Sequence, residues 1–105
     1  MPYVLVANRT AIEGDATYLA RCLGLGGGLD AVLAWVLRLR REIGIPATLS
    51  AVGIPADEVG RVAQMAVKDP SAGANPISFT AADYAALFER ALSGDLPRAA
   101  LRTLQ

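Results

Sequence analysis

The run LDAVLAWVLRLRREI, residues 29–43, decides the fold. Placed at about 100° intervals, Trp35, Leu39, Val32, Ile43, Val36, Leu29, Leu33 and Leu37 fill one arc of roughly 200°. An ordinary surface helix carries a narrower apolar stripe. This helix is therefore expected to be buried on more than one side, as the central post of a helical bundle. Arg40 falls inside the arc. Either its long stem carries the guanidinium out to water at the helix end, or the guanidinium bonds loop carbonyls or a partner surface. Gly44-Ile45-Pro46 then reads as a stop: a left-handed glycine, an apolar residue that folds back, and a proline.

Working outward, Thr10 and Glu13 fit a capping box that opens an earlier helix. Ile12, Ala16, Leu19, Ala20 and Leu23 recur at helical spacing behind it, and Gly24 is placed to end it. Pro2–Ala7 is apolar on all sides, so periodicity cannot separate a strand from a buried helix there. It shows no cap of its own and reads as the continuation of something longer. Downstream, Ile45–Pro55 is a connector. Pro55 suits the first turn of a third helix, and Asp57 and Glu58 favour its dipole. Val59, Val62, Ala63, Ala66 and Val67 form its stripe, and Asp69-Pro70 breaks it. Residues 71–78 read as a loop. Thr80 and Asp83 cap a fourth helix with Tyr84, Leu87, Phe88 and Ala91 as its stripe, closed by Ser93-Gly94. Residues 95–105 suit a short further helix through Leu96, Leu101 and Leu104. The expectation is an all-α fold, a bundle of about five helices in a single domain over residues 1–105.

Composition excludes several kinds of function. The chain has 105 residues with ten Lys+Arg against ten Asp+Glu. Zero net charge argues against a nucleic-acid binder, whose phosphate contacts need surplus cations. There is no histidine, which removes the usual metal ligand and the usual general base near neutral pH. The single cysteine, Cys22, excludes an internal disulfide and a Cys-only zinc site. The longest apolar run is far short of a membrane span, and no basic leader precedes a long apolar segment. The expected compartment is the cytoplasm. At 53% hydrophobic residues the chain can build a core, burying roughly two-thirds of its unfolded surface.

Local constellations give no chemistry. Gly24, Gly26, Gly27 and Gly28 suggest a phosphate loop, but Leu29 stands where the dinucleotide fingerprint needs glycine, and a helix precedes rather than a strand. A helix-to-helix turn is the plainer reading. Cys22 reads as a structural thiol with no base to activate it. Glu13 and Asp15 cannot share a helix face, while Asp57, Glu58 and Asp83 are explained by helix starts. Arg38, Arg40 and Arg41 form a basic cluster at a helix end, where cations are stabilising anyway. No catalytic residue, no metal ligand and no cofactor-binding residue is assigned.

Two stretches carry a resemblance. Gly44-Ile45-Pro46-Ala47-Thr48-Leu49 is followed by Gly53-Ile54. Asp69-Pro70-Ser71-Ala72-Gly73-Ala74-Asn75-Pro76 is followed by Thr80-Ala81-Ala82-Asp83. With Pro2-Tyr3-Val4-Leu5 and Asn8 ahead of them, they resemble the C-terminal part of the iron-containing (group III) alcohol dehydrogenases, relatives of maleylacetate and lactaldehyde reductases. The resemblance covers roughly residues 1–92, leaving 93–105 as an extra tail. It implies the C-terminal part of a dehydroquinate synthase-like helical domain. It also implies a parent enzyme that uses NAD(P) and a divalent iron or zinc to interconvert alcohols and carbonyls. In that family the metal-binding aspartate and histidines, and the nucleotide-binding glycines, precede the matched segment, so this chain is expected to carry neither cofactor. By the same resemblance Ser71 and Asn75 edge the substrate cleft.

The resulting expectation is an iron-containing dehydrogenase C-terminal fragment that is inactive alone. The alternative is a stand-alone helical interaction module that docks on a partner chain. Either way the broad apolar arc of residues 29–43 and the apolar Pro2–Ala7 segment predict unfilled contacts. The partner is then a second copy of the chain, in a homo-oligomer, or the missing N-terminal part of the parent enzyme, with no nucleic acid and no membrane involved.

Overall fold

Proline is at no disadvantage in the first turn of a helix, where its missing N–H would have had no partner. Pro2 uses that position to open α1, Pro2–Ala7. The computed structural model describes residues 1–96, and within them the segment that periodicity left undecided is a helix. Asn8 joins it to α2, Arg9–Cys22. The helix α3 follows at Leu29–Glu42, then α4 at Val59–Lys68 and α5 at Ala81–Ser93. Short 3-10 turns lie at Ser50–Val52, Ala56–Glu58 and Pro70–Ala74. The all-α expectation holds: among the described residues there are five α-helices and no strand. The helix expected over residues 95–105 falls largely outside the described residues. The chain groups into two compact units, one built on Met1–Ile45 and the other on Pro46–Asp95.

In the first unit α3 packs against both α1 and α2. Its N-terminal half is the core: Leu33 is 0% and Leu29 2% exposed, with Val32 buried beside them. Pro2 and Tyr3 from α1, the polar Asn8, and Ala16 and Ala20 from α2 complete the buried set of this unit. Ala16 and Ala20 are the buried residues of α2, the helix that packs on α3 in this unit. The burial expected on more than one side of α3 is found along its beginning, against α1 and α2. Leu39 and Ile43 are exposed, Ile43 at 60%, because the C-terminal half of α3 runs past the apolar faces that cover its beginning.

The Thr10–Glu13 capping box is corrected. The chain reaches Arg9 already turning: the Asn8 N–H donates to the Val4 carbonyl at 3.0 Å, and the Ala11 and Ile12 N–H groups donate to the Asn8 carbonyl. The first turn of α2 therefore has carbonyl partners without a threonine cap. No side chain caps α2, and Glu13 lies 3.8 Å from Arg9 instead.

Both long helices of this unit end as the sequence implies. Gly24 and Gly44 adopt φ of 72° and 77°. The following residues, Leu25 and Ile45, return their N–H groups to the carbonyls of Ala20 and Arg40 at 2.8 and 3.0 Å. Together with the Gly24–Arg21 and Gly44–Arg41 bonds, this is the double closure that satisfies the last carbonyls of a helix. The loop after α2 then folds back along it. A Cβ on Gly28 would stand 2.9 Å from Thr17 Oγ1, so any larger residue there requires Thr17 or the backbone to shift before α3 begins. One ion pair locks the result: the Arg9 guanidinium, in the first turn of α2, donates to the Asp30 carboxylate in the first turn of α3.

In the second unit α4 packs against α5. Ala63 and Leu92 are its buried apolar residues, flanked by half-buried Val59, Val62, Leu87 and Phe88. The 3-10 turn at Ser50–Val52 is pinned to α5 by the Leu49 N–H, which donates to the Ala91 carbonyl at 2.8 Å. Pro55 precedes the 3-10 turn Ala56–Glu58 rather than α4 itself, and Glu58 pairs with Arg61. Gly60 is exposed in the first turn of α4 and a Cβ there would meet nothing within 4 Å. Gly60→Ala is therefore expected to stabilise the chain by about 0.5–1 kcal/mol, by limiting the unfolded backbone without a clash. A urea midpoint that falls in this variant would refute that reading.

Candidate functional site

The segment between α4 and α5 holds the two positions singled out for a substrate cleft. Asp69 breaks α4 with extended backbone, and Pro70 then has the φ of a new turn. The Asp69 carboxylate accepts the Ser71 N–H at 2.7 Å, and its carbonyl accepts the Ala72 N–H at 2.9 Å. A short polar side chain bonding its own backbone two residues on is what makes Asp favourable here. The segment expected as plain loop is thus ordered into a 3-10 turn, Pro70–Ala74. Ser71 lies exposed within it and Asn75 directly follows it, half-buried.

The two residues differ in what they can do. Ser71 presents a hydroxyl to solvent and supplies hydrogen bonding, with no histidine in the chain to activate it. Asn75 acts as a brace: its side-chain amide donates to the Ile77 carbonyl at 2.7 Å. That bond holds the backbone on its way to α5. The far end of the segment is fixed by the Thr80–Asp83 capping box. The Thr80 N–H donates to the Asp83 carboxylate at 2.8 Å, and the Asp83 N–H donates to the Thr80 hydroxyl at 3.2 Å. Phe79 meets Tyr84 edge to face, ring centroids 5.6 Å apart, in the arrangement that the ring quadrupoles favour. The segment is therefore hydrogen-bonded at both ends, and its 3-10 turn carries one exposed hydroxyl, that of Ser71.

The other sequence candidates do not converge on this turn. Cys22 is exposed at the end of α2. The glycines at 24, 26, 27 and 28 form a turn between two helices, as the plainer reading held. The Met1 ammonium is held below its usual value, first by burial and then by the positive charge of Arg40. Sequence reading missed the Arg9–Asp30 pair, because residues 21 apart leave no local pattern. Among the described residues no three of His, Cys, Asp or Glu stand close enough to hold a metal ion. No helix among them is long and apolar enough to cross a membrane.

Against these features, one comparison with known proteins is positive. The profile of the Fe-containing alcohol dehydrogenase family, C-terminal, matches residues 1–92. No curated protein and no solved structure matches the chain.

Proposed function

The chain belongs to the Fe-containing alcohol dehydrogenase family, whose C-terminal part it matches over residues 1–92, and we propose that it serves as the helical wall of an NAD(P)-dependent oxidoreductase of the cytoplasm and is inactive alone. The family match carries this reading. The residues present do not fit the metal that the family name implies. The chain lacks histidine, and its described acidic residues and Cys22 do not gather into a ligand set. We therefore assign no step of the reaction to a metal in this chain.

What this chain contributes in that reading is the hydrogen-bonded turn Pro70–Ala74. Ser71 edges the substrate cleft with its hydroxyl, and Asn75 keeps the turn in shape through its bond to the Ile77 carbonyl. Neither residue transfers a proton or a hydride. The test is a nicotinamide absorbance assay on the purified chain with NAD or NADP, ferrous or zinc ion, and a panel of short alcohols. No turnover above the protein-free blank is expected. Turnover that scales with this polypeptide, whether or not chelation abolishes it, would overturn the proposal.

A second reading is supported by exposed apolar residues. Leu39, Ile43 and Ile45 are exposed at the C-terminal end of α3, Ile45 at 54%. Clustered apolar exposure of this kind favours association, so the alternative is a helical module that docks on a partner chain or on a second copy of itself. Sedimentation at about 100 μM, high enough to populate even a micromolar complex, is expected to show a dimer or larger species. A compact monomer at that concentration would remove self-association from the account.

A further inference from the structure

No further inference is drawn: the strongest candidate, the exposed apolar surface patch of Leu39, Ile43 and Ile45 at the C-terminal end of α3, belongs to the docking reading already given, and nothing in the structure shows what covers it.

Discussion

Leu33→Ala is expected to destabilise the chain by about 2–5 kcal/mol, the range for truncating a fully buried leucine. Among the described residues Leu33 is one of two large side chains with essentially no exposed surface, and it lies in the half of α3 that forms the core of its unit. Truncation removes its transfer free energy and leaves a cavity. The effect is large relative to the whole: a domain of this size has a net stability of only about 5–15 kcal/mol. Urea unfolding followed by far-UV circular dichroism reads the loss directly. The contrast is Ile43→Ala, at an exposed position of the same arc, where less than about 0.5 kcal/mol is expected. Equal losses at the two positions would mean that α3 is covered along its whole length, contrary to the packing described above.

The second large effect is expected at Asp30. Asp30→Asn removes the charge that receives the Arg9 guanidinium and that also favours the start of α3. Both side chains are about a quarter exposed, at 28% and 24%, so the pair lies between a surface bridge and a buried one. A loss of about 1–2 kcal/mol follows, above the range for exposed pairs and below that for breaking a fully buried one. A double-mutant cycle with Arg9→Met separates this coupling from the effect on the helix start. A coupling of about 1 kcal/mol is expected, and it should fall only modestly in salt because the pair is partly shielded from water. A coupling indistinguishable from zero would mean that the pair does not fasten α2 to α3.

These two sites show where sequence pattern carries and where it stops. The position of α5 was legible because Thr80 and Asp83 satisfy each other, a 3–4 stripe follows, and Gly94 closes the helix with φ of 83°. All three signals are local and agree. Thr10 and Glu13 satisfy the same local rule, yet α2 starts elsewhere, because α1 delivers a chain that is already helical. A capping motif predicts an end only where the backbone groups would otherwise lack partners. Pro2–Ala7 could not be assigned because a six-residue helix is too short to display a period. The arc on α3 was read as buried on more than one side and as wider than this chain alone fills; its N-terminal half is buried and its C-terminal end is exposed. Apolar pattern records what a face suits, and the exposure of Ile43 shows that this chain covers only part of it.

The candidate site was less legible than the fold. Ser71 and Asn75 came from a family resemblance, and nothing in their spacing distinguishes a contact residue from a brace. The structure separates their settings, one hydroxyl exposed and one amide bonded to Ile77. The Arg9–Asp30 pair was invisible because it depends on a loop folding back along α2, and that depends on Gly28 passing Thr17. Such a contact follows from tertiary geometry that no local motif encodes.

In the role proposed above, metal and dinucleotide are held by residues outside this chain. Isothermal titration of the folded chain with ferrous ion, and separately with NADH and NADPH, tests this assignment most directly. Heats indistinguishable from dilution are expected in all three. Saturable, stoichiometric uptake of any of them at micromolar concentration would contradict it.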